Sequence, residues 1–481
     1  MRGNAGANLT TGPITRTLLA FAVPTLLSNV LQSLNGSINA VWVGRFLGED
    51  ALAATSNANI IMFLMFATIF GFGMAATIIV GQNWGRGDRD MARRAIGTAV
   101  GTLFMLSLVV AVAGWLATPT LLSLMATPGH AMPLAAAYMR VIFAVMPASF
   151  VSVVLMMGLR GTGDSLTPLW FMGLSAVLDA GLNPVFILGL GPAPRLGIAG
   201  SAVATAIAGY ASLAALLTYV YSRDLPLRLR GRELRYLVPD PALLRIILAK
   251  GLPMGLQMIV VSLSQISVIG IVNRQGVVTT AAYAVTTQLW TYVQMPALAL
   301  GAAVSAMAAQ NIGAGRWDRV QRVTRSGVWC NVVMTGVLVT VLTVIDAHAL
   351  GLFLGANSPS LPIAQHIQRV ASWGFVLFGV TFVLFGTVRA NGAVYGPLVI
   401  LFIALFPVRL GLMVSLLPYY GAEAIWWTIP ISSLTSMLLS LAYYRWGKWR
   451  GGPLLTVTDP DEASEQSEGD AEPAGRMKPA G

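Results

Sequence analysis

Gln82-Asn83-Trp84-Gly85-Arg86-Gly87 returns later in the chain as Gln310-Asn311-Ile312-Gly313-Ala314-Gly315, at an offset of 228. The register extends outward on both sides of this motif. Gly48 and Ala53-Ala54 return as Gly276 and Ala281-Ala282, Asp90 and Arg94 as Asp318 and Arg322, Pro24 as Pro253, and Arg140 as Arg369. The spacing Arg160-x-x-Gly163-x-x-x-x-Pro168 reappears as Arg389-x-x-Gly392-x-x-x-x-Pro397 at an offset of 229. One residue of drift over so long a stretch marks a duplication with few insertions. Because the repeated blocks join long apolar runs, the pattern is that of a membrane bundle built from two pseudo-symmetric halves.

Composition sets the class. Of 481 residues, 56% are hydrophobic and only 10% charged, with a mean hydropathy of +0.72. Soluble domains carry about 25% charged residues, so most of this chain faces lipid or other protein. The net charge of +11 predicts no nucleic-acid partner, because the arginines sit in short loops between apolar runs, where a membrane protein sets its orientation. Cys330 is the one cysteine, which excludes an intrachain disulfide. The polar, Gly-rich stretch Met1 to Pro13 leads into an apolar run too long for a cleaved signal peptide.

A spanning helix needs about 20 mostly apolar residues. Twelve such runs are predicted, at 16–44, 54–81, 95–117, 132–158, 167–190, 197–221, 243–272, 281–308, 324–345, 364–388, 394–417 and 422–446. The expected organisation is an N-lobe (1–221), a basic linker (222–241), a C-lobe (242–446) and a disordered tail (447–481) rich in Asp, Glu, Ser, Gly and Pro. Arg86, Arg89, Arg93 and Arg94, their counterparts Arg316, Arg319, Arg322 and Arg325, the linker, and Arg445, Lys448 and Arg450 all fall on one side. The positive-inside rule makes that side cytoplasmic, with both termini there.

An ionisable group within a span costs roughly 3 kcal/mol at the helix centre on insertion scales, so it is a functional candidate. A scan of the twelve runs returns one deep acid, Asp179 in the fifth. Asn183 lies four residues on, hence on the same helix face. Pro184 follows and cannot donate to the preceding turn. Asn35 and Asn39 share a face of the first span, and Thr205 in the sixth supplies a hydroxyl. Asp179, Asn183, Asn39, Asn35 and Thr205 form the candidate cation-coupling cluster. Asp179, Asn183, Asn39 and Thr205 could together hold a sodium ion. The histidines His130, His348 and His366 are scattered, which leaves no catalytic constellation and no transition-metal site, so an enzyme is not expected.

With Val43-Gly44-Arg45, Ala51-Leu52-Ala53-Ala54, the doubled Gln-Asn-x-Gly-x-Gly and Arg-x-x-Gly-x-x-x-x-Pro loops, Asn183-Pro184, Gly197 to Thr205, and Arg409 with Ile425-Trp426, the chain resembles the multidrug and toxic compound extrusion (MATE) family. The resemblance covers both halves. It implies an all-α membrane protein of twelve helices in two six-helix lobes around a central cavity. It also implies export of amphiphilic, cationic organic compounds against inward flow of protons or sodium ions, with no cofactor. The expected setting is a prokaryotic inner membrane and the expected state a monomer.

The chain also departs from the family's pattern. Many relatives carry an acid in the first span four residues before the Val-Gly pair, where this chain has Asn39. On the fifth span they often read Asn then Asp, where this chain has Asp179 and Asn183. The NorM-like branch places acids where Val261 and the segment 389–393 stand here, and this chain has none, which is more like the DinF-like branch. Candidate cargo contacts are Gln257 and Gln265 in the seventh span and Met295 in the eighth, where Met surfaces suit varied ligands. A major-facilitator reading would need Gly-x-x-x-Asp-Arg-x-Gly-Arg-Arg at Gln82 to Arg94, which is not there. A flippase for a lipid-linked precursor, related in fold, would favour cations in the spans facing the cavity (1, 2, 7 and 8), and these hold almost none. The doubled arginines Arg160 and Arg389 are expected to serve the scaffold.

Overall fold

The computed structural model describes residues 8–47, 49–124, 132–191, 193–355 and 357–451, with the side chains of 40, 49–61 and 64 left undescribed. His130 and the tail beyond Gly451 lie outside the described residues. The first half runs α1 (Ile14–Leu47), α2 (Glu49–Arg86), α3 (Arg89–Leu124), α4 (Met132–Gly161), α5 (Leu166–Leu188) and α6 (Ile198–Ser222). The second runs α7 (Pro241–Asn273), α8 (Val277–Gly313), α9 (Trp317–Val344), α10 (Asp346–Leu354), α11 (Ser360–Ala371), α12 (Gly374–Ala390), α13 (Tyr395–Ile403), a π-helical stretch Ala404–Gly411, α14 (Leu412–Tyr420) and α15 (Ala422–Trp446).

Eleven of the described helices, counting Tyr395–Tyr420 as one, are long and apolar enough to cross a membrane. The tenth span in chain order, which brings the number to twelve if the pair is taken as one, is broken: α11 and α12 meet at a bend of 43°. The sequence reading treats 364–388 as continuous. The break falls at Ser372-Trp373, where the Ser372 hydroxyl is buried with no partner. A second interruption is the π-helical stretch around Pro407, which cannot donate to the preceding turn.

Local chemistry fixes the joints. The Arg-x-x-Gly-Asp corner after α4 turns on Gly163 at φ +94°, and Asp164 then accepts from the backbone N–H of Leu166 (3.1 Å) and Thr167 (2.9 Å) to start α5. Asp240 caps α7 by accepting from Ala242 N–H, with Pro241 at the first helical position. The linker is strapped beneath α3: Arg93 pairs with Glu233 at 2.7 Å and Arg94 with Asp240 at 2.8 Å. Tyr236 donates to Asp90 at 2.8 Å, and that bond raises the Tyr236 hydroxyl above its ordinary pKa.

The ordered chain also reaches further than the expected boundary at 447. Trp449 is 2% exposed, and Asn391 Nδ2 donates to the carbonyls of Trp449 (2.5 Å) and Gly451 (2.8 Å). Residues 447–451 therefore belong with the bundle, because a buried indole holds them there.

Candidate functional site

Asp179 is 1% exposed, and the other four polar side chains of the candidate cluster meet at it. Oδ2 accepts from Asn35 Nδ2 at 2.8 Å and Asn39 Nδ2 at 2.9 Å, both from α1. Oδ1 accepts from Asn183 Nδ2 at 3.1 Å, one turn along α5, and from Thr205 Oγ1 of α6 at 3.0 Å. Asn183 also donates to Asn39 Oδ1 at 2.8 Å. Three helices thus aim four donors at one carboxylate. Two amide oxygens of the cluster, Asn35 Oδ1 and Asn183 Oδ1, are buried with no partner.

That arrangement has a definite chemistry. A carboxylate with four donors is satisfied as an anion. A protonated acid must itself donate, and rotating the Asn35 amide would turn an unused oxygen toward it. A hard cation such as sodium would need several amide oxygens turned inward together with the carboxylate and the hydroxyl, which is the oxygen-rich shell hard cations take. Among the described residues, no group of three His, Cys, Asp or Glu side chains is placed to hold a metal.

Beside the cluster lies a cavity of about 380 Å³ lined by α1, α2, α4, α5 and α6. Asn35 and Thr205 are on its wall, so Asp179 is one hydrogen bond behind the surface. Six methionines line it (Met62, Met65, Met146, Met156, Met157 and Met172), with Phe66, Phe70 and Phe150. This volume is in the range of sites for drug-sized ligands, which run about 300–1,000 Å³. The sequence reading looks to helices 1, 2, 7 and 8 for the cavity walls. This cavity lies within the first half, and α7 and α8 do not line it.

Gln257, Gln265 and Met295 are therefore elsewhere. Gln257 Nε2 donates to the Val394 carbonyl at 3.1 Å inside the second half. Gln265 is two turns along the same helix, and Met295 is 5% exposed in α8. Trp290 is core: its indole donates to Gln368 at 2.9 Å and its ring meets those of Tyr283 and Phe375. Arg160, expected to serve the scaffold, is among the residues that line the methionine cavity. Its reach follows from helix geometry, since side chains lean toward the helix N-terminus and an arginine in the last turn points back into the bundle.

The second half inverts the charge. The offset of 229 carries Asp179 onto Val408, next to Arg409. Arg409 is 9% exposed within the π-helical stretch and donates to Ser432 Oγ at 2.8 Å.

The two halves meet through α2 against α7 and α8, and α1 against α8. On the basic face the repeated loops interlock. Gln82 donates to the Ala390 carbonyl at 2.6 Å, and Gln310 donates to the Gly161 carbonyl at 2.9 Å. Gly161 and Ala390 are themselves duplicate positions. Gly85 sits on the Gln310 carbonyl and Gly313 on the Gln82 carbonyl, each so near that a Cβ would overlap it. Residues 9–12 run across the same face, with Leu9 N–H donating to Gln310 and Arg316 and Arg319 donating to the carbonyls of Thr10 to Gly12.

Comparison with known proteins agrees with this architecture. The family model MatE matches the chain twice, over residues 24–185 and 253–414. "Probable multidrug resistance protein YoeA" of Bacillus subtilis (strain 168) is 39% identical over 89% of this chain and 93% of its own length. "Probable multidrug resistance protein NorM" of Deinococcus radiodurans is 30% identical over 89% and 94% respectively. A protein of Shewanella oneidensis named "FAD transporter" is 27% identical over 65% and 69%. In fold, the chain is similar to an outward-facing conformation of a multidrug resistance MATE family transporter of the MOP superfamily, with a TM-score of 0.85 at 19% identity, covering 92% of this chain and 98% of that one.

Proposed function

Because the chain belongs to the MatE family, we propose that it exports amphiphilic, cationic organic compounds in exchange for protons or sodium ions, with Asp179 as the group that carries the coupling ion. The chain is a multi-pass membrane transporter of the multidrug class and moves cargo without chemical conversion. The observation that carries the coupling proposal is the buried Asp179 carboxylate, held by Asn35, Asn39, Asn183 and Thr205 at the wall of the methionine cavity. Intramembrane acids are costly to keep, and ones placed beside a cavity mark ion pathways. Proton and sodium make different demands on the same cluster. One carboxylate suffices for a proton, which favours that ion, whereas sodium would recruit the amide oxygens as well.

The basic face, where both described chain ends lie, is read as cytoplasmic in a prokaryotic inner membrane. The transporter is read as a monomer. The "FAD transporter" relative indicates that cargo among relatives is not confined to cations.

Inverted vesicles with dye supplied outside test the coupling, because their outer face is the cytoplasmic one and export appears as uptake. Transport should collapse with an uncoupler or on removal of sodium. Asp179→Asn, which removes the charge at nearly constant shape, should abolish it while leaving membrane expression intact. Should Asp179→Asn transport at the wild-type rate under an imposed ion gradient, coupling at this cluster is excluded.

A further inference from the structure

On the basic face, α9 and α15 both pack on α12 and leave a trough of about 460 Å³ between them, with Leu384 of α12 at its floor. Three guanidiniums border it: Arg325 from α9, Arg445 from the last turn of α15, and Arg450 just beyond that helix. All three residues are exposed, and among the described residues none pairs with a carboxylate. Among the described residues, the one hydrogen bond from any of these guanidiniums is a long one, 3.5 Å, from Arg450 to the Tyr444 carbonyl. Rings hold two of them instead. Arg445 lies 5.8 Å from the centroid of Trp446, and Arg450 lies 5.0 Å from that of Trp449 and 5.7 Å from that of Tyr444. A guanidinium over a ring keeps its N–H edge available to an anion.

The equivalent face of the first half is covered by the chain itself. α3 duplicates α9 at the offset of 228, which carries Gly97 onto Arg325 and Gly101 onto Trp329. A Cβ on Gly97 would run into Tyr236 and one on Gly101 into the Leu237 carbonyl, because the linker lies directly on α3 there. In the second half an arginine and a tryptophan stand at those two positions, and both line an open trough. From it, two rows of exposed apolar side chains run on along the spans: Trp329, Val333 and Val337 on α9, and Leu441, Leu438 and Leu434 on α15. Steps of three and four residues keep each row on one helix face.

We propose that this trough binds one anionic phospholipid, its phosphate between Arg325, Arg445 and Arg450 and its acyl chains along the two apolar rows. Basic pockets between spanning helices recognise lipid phosphates in this way, and Trp and Tyr rings such as Trp329 and Tyr444 favour the headgroup level. A choline or ethanolamine head would bring its ammonium among three like charges, so a lipid of net negative charge fits better. An acidic peptide such as Asp459 to Glu472 of this chain matches the charge, but it has no apolar side chain larger than Pro to lay along the rows. The lipid bridges α9 and α15 across the face that the linker covers in the first half.

Native mass spectrometry of the full-length protein in detergent, titrated with phosphatidylglycerol or phosphatidylcholine of the same acyl chains, tests this. The first phosphatidylglycerol should bind at least about tenfold more tightly than the first phosphatidylcholine, as expected of several arginines near one lipid phosphate. Arg325→Gln combined with Arg445→Gln should cut that ratio at least about fivefold. Arg232→Gln combined with Arg235→Gln, which removes the same charge from the linker, should leave it unchanged. Glycerophosphoglycerol, the same head without chains, should displace the lipid only at far higher concentration. A full-length chain carrying Asp459→Asn, Asp461→Asn and Glu462→Gln should bind the lipid as the wild type does. Equal wild-type affinities for the two lipids, or a preference that survives the Arg325 and Arg445 substitutions, overturn the site. Displacement by glycerophosphoglycerol at the lipid's own concentration would make it a site for free anions, and tighter lipid binding by the tail variant would give the trough to the tail; either result overturns the proposal.

Discussion

Four donors from three helices converge on the Asp179 carboxylate at 2.8 to 3.1 Å, so position matters there as much as charge. Asp179→Glu keeps the charge and adds one methylene. In a packed site that extension costs about 1–3 kcal/mol and cannot leave four contacts in place. The expected result is a loss of efflux of at least about tenfold despite the retained acid, read in the same vesicle assay. Wild-type rates for Asp179→Glu would show that a charge anywhere in the neighbourhood suffices. The cluster's membership was legible in the sequence because two pairs at i, i+4 and a lone intramembrane acid are periodic signals. Its two unused amide oxygens were not, since they depend on how α1 meets α5. The place of Arg160 on the cavity wall was hidden for a similar reason. Its loop motif reads as a turn, while the direction of its side chain and the open space beside Met156 are tertiary facts.

Between residue and lobe, the linker acts as a strap on the first half. Asp240 both caps α7 and pairs with Arg94, and the two roles can be separated. An N-cap contributes about 0.5–2 kcal/mol, whereas an ion pair whose arginine is 46% exposed contributes at most about 1 kcal/mol. Asp240→Ala should therefore lower the melting temperature in detergent clearly, Asp240→Asn much less, and Arg94→Ala least of the three. An equal loss in Asp240→Asn and Asp240→Ala would put the ion pair ahead of the cap. Helix number was readable from hydropathy, which counts apolar residues along the chain. The bend between α11 and α12 and the π-helical stretch were not, because Ser372, Trp373 and Pro407 sit in runs whose composition stays apolar through the interruption.

At the scale of the whole molecule, the duplication announced two lobes, but it did not announce that the repeated loops grip each other. Gln82 reaches across to Ala390 and Gln310 to Gly161, while Gly85 and Gly313 let the two loops touch backbone to backbone. A contact related by the pseudo-twofold axis closes the basic face symmetrically, so disturbing either side should open it. Buried cores shift between discrete packings rather than deform smoothly, and a transporter needs two such packings, one open to each side of the membrane. Gly85→Ala and Gly313→Ala each place a methyl on a carbonyl of the opposite lobe, with no change in charge or hydrogen bonding. Each should therefore shift the population toward the state open on the basic face. Spin labels at Arg89 and Asp318, introduced in a Cys330→Ser background, would report this as a longer distance between the loops, together with slower efflux. Gly315→Ala is the matched control, because a Cβ there meets no atom within 4 Å although its φ of +70° is strained. A distance distribution unchanged by Gly85→Ala, or lengthened equally by Gly315→Ala, would mean that the interlocked loops do not hold the basic face shut.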